Sequence, residues 1–197
     1  MMLVLILSIA VLAVMNLAVG SVGIPAAAVF SILNPFDTTP LRGENAEIWT
    51  NIVMYTRLPQ TVTAMACGAG LSVAGLEMQT VFRNPLAGPS VLGVSSAASL
   101  GVAFVVLLSG ALGGTALSSF GIIGNSAITL AAISGALLVM SFIVYLSHKV
   151  DGNVTLLITG VLIGYIATAI IGVLKYFSSE EDIRAYVIWG LGSFSRV

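Results

Sequence analysis

Apolar residues along this sequence are gathered into long uncharged runs, and nearly all charged residues lie between those runs. A helix rises about 1.5 Å per residue, so about 20 apolar residues cross the roughly 30 Å of hydrocarbon in a bilayer. Five runs approach or exceed that length, which predicts an all-α, polytopic integral membrane protein with about five transmembrane helices. The predicted spans are 3–22, 58–82, 91–108, 122–147 and 154–177.

An amphipathic segment follows the fifth run. Ser179 precedes three consecutive acids, and apolar residues recur from Ile183 to Leu191. A serine followed by acids is typical of a helix N-terminus, and a charged face opposite an apolar one suits a membrane surface. We therefore predict an interfacial helix over 179–191. The connection 23–57 is polar and rich in turn residues, which predicts a loop with room for a short helix.

Composition narrows the class of protein further. Hydrophobic residues make up 58% of the chain and charged residues 8%, whereas a soluble domain carries roughly a quarter charged residues. A formal charge of -1 excludes binding to nucleic acid through phosphate neutralisation, and the hydropathy excludes disorder. With one cysteine, Cys67, and one histidine, His148, the chain predicts neither a disulfide of its own nor a metal site.

Sidedness does not follow from the charges alone. With the N-terminus in the cytoplasm, the inner connections hold Arg83 and Lys149, and the outer connections hold more positive residues. The inner connections are much shorter, however, so they are denser in positive charge. A signal peptide remains an alternative for the first run, because Val19, Gly20 and Ser21 are small, although no Lys or Arg precedes that run.

Small residues mark two of the predicted spans. The second span is rich in Gly, Ala and Ser, which predicts that other helices enclose it. In the fifth span Gly160, Gly164, Thr168 and Gly172 recur every four residues and form one smooth ridge. Two interpretations fit this ridge: close packing of helices, or the wall of a pathway for a bulky solute.

Candidate catalytic chemistry is sparse. Glu77 is the one clear acid within a predicted span, and its position near the end of that span favours snorkelling to the headgroups. No Ser-His pair, paired aspartates or HExxH motif lies within a span, and no GxxxxGK[ST] phosphate loop occurs. We therefore predict no catalytic residue, no enzymatic activity and no cofactor held by this chain.

The segment 57–96 has the most specific pattern in the chain. It reads RLPQTVTAMACGAGLSVAGLEMQTVFRNPLAGPSVLGVSS, and LLITGVLIG at 156–164 and WGLGS at 189–193 follow. Together these motifs resemble the FecCD-type permeases, the membrane subunits of binding-protein-dependent ABC importers for iron-siderophores, haem and cobalamin. The resemblance implies half of a ten-helix type II ABC importer permease fold, with residues 1–197 as the N-terminal part of a single permease domain.

The resemblance also implies site residues at both ends of the second span. The N-terminus would be cytoplasmic, in a bacterial inner membrane. Arg57 would then dock the periplasmic solute-binding protein by pairing with its carboxylates, with interfacial snorkelling as the alternative. Many family members carry a second arginine where this chain has Gln60. At the other end, Asn84, Pro85 and Leu86 would form a cytoplasmic gate.

Further features of the family extend along the chain. The connection near Asn153 and Val154 resembles a second inner constriction, and the fifth span would line the translocation pathway at Gly160, Gly164 and Thr168. The implied partners are a cytoplasmic ABC ATPase that holds ATP and Mg, a periplasmic solute-binding protein, a second permease copy or homologue, a metal-chelate substrate and membrane lipids.

The length of the chain departs from the family pattern. It ends after five predicted spans, whereas family members have about ten, so we expect a truncated permease or fragment, or a split permease completed by another chain. The alternative function is a membrane assembly subunit without transport activity, or an inactive permease remnant.

Overall fold

The computed structural model describes residues 1–34, 45–111, 122–150 and 152–193. These residues form helices joined by turns, with no strand among them, which confirms the all-α prediction. The helices are α1 Met2–Ala18, α2 Ala26–Leu33, α3 Ala46–Ile52, α4 Leu58–Phe82, α5 Val94–Ala111, α6 Ile122–Ser147, α7 Asn153–Tyr176 and α8 Glu180–Gly190, with one π-helical turn at Val53–Arg57.

A helix lies at each of the five predicted spans. The helices α4 and α6 begin and end at the predicted residues, whereas α1 ends earlier than predicted. Among the described residues, three stretches are long and apolar enough to cross a membrane: Ala46–Phe82, Gly124–Ser147 and Asn153–Tyr176. Met2–Ala18 and Val94–Leu108 are shorter apolar helices. The polytopic architecture follows from these five elements.

The described residues belong to two compact units, one within Met1–Gly70 together with Ser193, and one within Leu71–Gly192. In the first unit, Leu17, Ile24, Ala28, Val29 and Val53 form a buried apolar cluster. In the second unit, a cluster from α5, α7 and α8 consists of Val102, Ala103, Val106, Leu107, Ile171 and Tyr186. The assignment of the whole chain to a single permease domain stays a prediction.

Glycines set the distance between α5 and α6. A Cβ on Gly101 would lie 2.2 Å from the carbonyl oxygen of Ala131, and a Cβ on Gly135 would lie 2.3 Å from that of Ala97. The two helix backbones therefore touch directly at this crossing. Such an approach is typical of helix packing in membranes, where small residues replace the hydrophobic driving force that lipid removes.

The predicted surface helix is α8, and it begins as the sequence indicates. The side chain of Ser179 accepts a hydrogen bond from the backbone N–H of Asp182 at 3.2 Å, which is an N-cap. Tyr186 is buried against α5, and the Nζ of Lys175 lies 4.8 Å from the centre of its ring. Burial raises the pKa of the Tyr186 hydroxyl above its ordinary value, and a hydrogen bond with Ser99 partly opposes that increase.

The small residues of α4 have a different environment from the one predicted. Cβ atoms added to Gly68, Gly70 or Gly75 would meet nothing within 4 Å, and every residue from Val62 to Val81 is exposed or half-buried. The expectation that other helices enclose this span is therefore not met within the described part of the chain.

Candidate functional site

The segment 83–93, which joins α4 to α5, contains the predicted gate residues. It begins with a Schellman motif, because the N–H of Asn84 donates to the carbonyl of Gln79 at 3.1 Å and the N–H of Arg83 donates to that of Thr80 at 3.3 Å. Arg83 has a φ of 48°, the left-handed conformation that this motif requires and that usually selects glycine. The chain therefore leaves α4 through a defined cap.

Two β-turns follow, and a proline occupies the second position of each. The N–H of Ala87 donates to the carbonyl of Asn84 at 3.0 Å across Pro85, and the N–H of Val91 donates to that of Gly88 at 3.0 Å across Pro89. Proline suits this position because its ring fixes φ near −65°. These turns explain why residues 83–93 are not helical.

Asn84 stabilises the first of these turns. Its Oδ1 accepts a hydrogen bond from the N–H of Leu86 at 2.9 Å, so the side chain acts within its own turn. This contact holds the backbone on both sides of Pro85. The predicted gate residues are therefore part of one hydrogen-bonded turn.

Residues of segment 83–93 differ sharply in how exposed their side chains are. Leu86 is 85% exposed, whereas Ala87 is 3% exposed and Leu92 is 2% exposed. A large apolar side chain is thus exposed, whereas the next residue, Ala87, and Leu92 near the end of the segment are buried. This arrangement can present Leu86 to another molecule or to a second copy of the chain.

The glycine ridge of α7 packs against the end of segment 83–93. A Cβ on Gly160 would lie 2.6 Å from the Cα of Leu92, and a Cβ on Gly93 would lie 2.6 Å from the carbonyl oxygen of Gly160. A Cβ on Gly164 would lie 3.4 Å from the Oγ of Ser96. Gly160 and Gly164 are buried by these contacts, so here the ridge packs elements of the chain together, which is the first of the two interpretations offered above.

The other end of the ridge differs. Thr168 is exposed, and its hydroxyl donates to the carbonyl of Gly164 at 2.8 Å. A Cβ on Gly172 would meet nothing within 4 Å. Of the three residues predicted to line a pathway, Thr168 alone has an exposed side chain, and Gly160 and Gly164 are covered within the chain. The pathway role of all three stays a prediction.

A second contact joins α7 to the beginning of the same segment. The Nδ2 of Asn153, the first residue of α7, donates to the carbonyl oxygen of Val81 at 2.7 Å. Val81 lies in the last turn of α4, where helix carbonyls lack partners within the helix. The sequence placed Asn153 near a second constriction but gave no sign of this hydrogen bond.

Arg57 lies in the first unit and is 6% exposed. Its Nη1 donates to the carbonyl of Leu17 at 2.7 Å, and its Nη2 donates to that of Val22. The guanidinium therefore binds backbone oxygens at the end of α1 and just beyond it. Docking by a bidentate carboxylate pair needs a free guanidinium, so this geometry favours a structural role, and the docking role stays a prediction.

The surroundings of Arg57 fit that structural role. A Cβ on Gly20 would lie 2.7 Å from Nη2, so the guanidinium occupies space that a larger residue at position 20 would narrow. The hydroxyl of Thr61 donates to the carbonyl of Arg57 at 2.7 Å, and its Oγ1 lies 2.9 Å from the Oδ1 of the Asn16 side-chain amide. Together these contacts bind the π-helical turn and the start of α4 to the end of α1.

Metal-binding chemistry is not assembled in the part of the chain that the structure describes. There, no group of three or more His, Cys, Asp or Glu side chains lies close enough to hold a metal ion. Cys67 and Glu77 are both exposed on α4. The predictions of no metal site and no catalytic residue remain predictions.

Sequence reasoning missed the packing role of Gly93 and, for Asn153, the hydrogen bond to Val81. Gly93 has a φ of 72° and meets the backbone of α7, and its place between a proline turn and an apolar helix is the signal that could have indicated it. Asn153 follows Gly152 at the start of a span, which indicates a helix beginning but not a bond to α4.

Curated proteins with similar sequences are membrane permeases. The chain is 34% identical over 145 residues to the vitamin B12 import system permease protein of Pectobacterium atrosepticum, with 74% of this chain and 41% of the relative covered. It is 34% identical over 165 residues to the protein of that name from Escherichia coli, covering 84% and 46%. It is 35% identical over 157 residues to the probable iron chelatin transport system permease protein of Helicobacter pylori, covering 79% and 43%. The chain thus spans less than half the length of these relatives.

A solved structure shares the fold. It is an inward-facing conformation assigned to a metal-chelate type ABC transporter, with a TM-score of 0.66 and 23% sequence identity. The match covers 97% of this chain and 54% of the solved chain. The model of the FecCD transport family matches residues 6–197. With its apolar helices and this match over nearly its whole length, the chain is an integral membrane protein that belongs to the FecCD transport family.

Proposed function

We propose that this chain forms the N-terminal half of the membrane permease subunit of an ABC importer in the bacterial inner membrane. The imported substrate would be a metal complex of the iron-siderophore, haem or cobalamin type. The family match over residues 6–197 supports this proposal, as do relatives named for vitamin B12 and iron chelatin transport. The chain itself would hydrolyse no ATP, and a separate cytoplasmic ATPase would bind ATP and Mg.

Segment 83–93 is the part of the chain whose geometry gives most support to a cytoplasmic gate. With the N-terminus in the cytoplasm, α4 would run inward and place segment 83–93 at the cytoplasmic end of the pathway. Leu86, 85% exposed on a turn fixed by Asn84 and Pro85, is the observation that supports a gate there. Paired with the same leucine of a second permease copy, it would narrow the pathway with an apolar constriction.

The remaining residues have more indirect roles in the proposal. Thr168 would face the pathway, and Gly160 and Gly164 would support the gate segment from α7. Arg57 would shape the periplasmic end of α4 by binding the carbonyls of Leu17 and Val22, so that neighbouring groups contact the solute-binding protein. Any direct pairing of Arg57 with that protein would require those bonds to open.

Uptake in the native host tests the proposal. A strain without the gene should lose uptake of one of three probes, labelled cobalamin, a ferric siderophore or haem, and the restored gene should return it. Leu86→Trp should then block uptake, because the added bulk lies at the exposed tip of the gate. Leu138→Trp on α6 is the matched control, since Leu138 is 72% exposed and far from the gate in sequence. Normal uptake of all three probes in the deletion strain would contradict the proposal and favour an assembly subunit or an inactive remnant.

A further inference from the structure

The last carbonyls of α4 have partners from two sources. Gln79 and Thr80 accept hydrogen bonds from the turn that follows the helix, at 3.1 and 3.3 Å. The next carbonyl, that of Val81, accepts from the Nδ2 of Asn153 at 2.7 Å, across 72 residues of sequence. A helix end needs such partners because its last four carbonyls have none within the helix. Asn153 therefore completes the cap of α4 from another element.

Helix α7, which begins at Asn153, also contacts the far end of segment 83–93. Gly160, two turns along α7 from Asn153, touches the backbone of Leu92 and Gly93 so closely that neither glycine could hold a Cβ without displacement. Segment 83–93 is thus attached to α7 at its beginning, through Asn153, and at its end, through Gly160. Between the two attachments Leu86 is exposed.

We propose that Asn153 is a positioning residue of the gate: with the Gly160 contact, its hydrogen bond makes α7 and segment 83–93 move as one body, so that displacement of α7 moves Leu86. This inference rests on the proposed function, because it takes Leu86 as the gate. The bond to Val81 is a single polar contact between two helix ends, so its loss would free the beginning of the segment while the close contact at Gly160 remains.

Asn153→Asp isolates the hydrogen bond. Aspartate has the shape of asparagine but no N–H₂, so it cannot donate to the Val81 carbonyl and places a negative charge beside that oxygen. At the first residue of a helix, however, an acid stabilises the helix itself. A purely local effect would therefore slow exchange in the first turn of α7 and leave segment 83–93 unchanged, whereas loss of the attachment would loosen that segment.

Thr155→Ala is the matched control. Thr155 lies in the same first turn of α7 and is exposed, and the Val81 carbonyl is bound by Asn153 and not by Thr155. The first measurement is hydrogen–deuterium exchange of the backbone amides of Leu86, Ala87 and Val91 in the assembled transporter in detergent. We expect exchange about 2- to 10-fold faster in Asn153→Asp than in the unmodified protein, and no change in Thr155→Ala. Equal exchange in Asn153→Asp and the unmodified protein would overturn the attachment.

The second measurement is the amount of substrate imported per ATP hydrolysed, in proteoliposomes that contain the ATPase and the solute-binding protein. The probe is whichever metal complex the unmodified protein imports. Asn153→Asp should lower this ratio, because ATP hydrolysis continues while the gate follows α7 less closely. A normal ratio together with faster exchange would show a merely structural bond and overturn the positioning role. If the unmodified protein imports none of the three probes, the proposed function fails, whereas the exchange measurement still decides the attachment.

Discussion

Replacing Gly160 by alanine tests whether the ridge of α7 is a packing surface. The added Cβ would lie 2.6 Å from the Cα of Leu92, 3.0 Å from its carbonyl carbon and 3.1 Å from the carbonyl oxygen of Val91. All three are backbone atoms, so no side-chain rotation can relieve the contact. The helix and segment 83–93 would have to move apart.

The size of the effect follows from two opposing contributions. Alanine in place of glycine stabilises a helix interior by about 1 kcal/mol. Overpacking of a tight contact costs about 1–3 kcal/mol, and a clash with backbone atoms, which cannot rotate away, belongs at the upper end of that range. Gly160→Ala should therefore lower the free energy of unfolding by about 1–2 kcal/mol.

Gly172→Ala supplies the matched control, because it lies on the same helix and its Cβ would meet nothing within 4 Å. That variant should be neutral or more stable by up to about 1 kcal/mol. Unfolding by SDS titration in mixed micelles, followed by circular dichroism, measures the two free energies directly. Equal stability of the two variants would refute the packing interpretation of Gly160.

Three further predictions concern single side chains. Arg57→Lys should destabilise the protein by about 1.5–3 kcal/mol in the same titration, because an ammonium cannot span both backbone carbonyls that the guanidinium binds. An unchanged free energy of unfolding would exclude the structural role of Arg57. Arg83→Gly should be neutral or stabilising by up to about 1 kcal/mol, because φ is 48° there, and marked destabilisation would contradict the Schellman cap. Since burial raises the pKa of Tyr186, the unfolded chain releases the tyrosine proton at lower pH than the folded chain does, so the free energy of unfolding should decline as pH rises above about 10. Tyr186→Phe should remove that decline, and an identical alkaline profile in the variant would contradict this prediction.

The helices were predictable because long apolar runs permit little else in a bilayer. The bounds of α4 and α6 agree with the prediction residue for residue, since Arg57, Arg83 and His148 mark their ends in the sequence. The cap at Ser179 was predictable for a similar reason, because a serine followed by acids acts locally. Local signals of this kind need no knowledge of which elements are neighbours.

The contacts of the site could not be predicted in the same way. A regular glycine spacing indicates a close approach but not its partner, and the partner of Gly160 proved to be a non-helical segment about 70 residues earlier. Arg57 at the start of a span was expected to face solvent or headgroups. Its burial depends on the end of α1 and the turn that follows, where the carbonyls of Leu17 and Val22 are separated from it by 40 and 35 residues.

The packing interpretation of the ridge applies to Gly160 and Gly164, and the pathway interpretation stays a prediction for Thr168. Gly160 and Gly164 are buried against the region from Leu92 to Ser96, so substitution there disturbs the packing of segment 83–93 on α7 before it could disturb a solute. Thr168 and Gly172 are exposed, and side chains added there have space. A bulky residue at Gly164 would therefore reduce uptake through loss of stability. If Thr168 lines the pathway, Thr168→Trp would reduce uptake while leaving the free energy of unfolding unchanged. Normal uptake by a stable Thr168→Trp variant would remove the pathway from this face of α7.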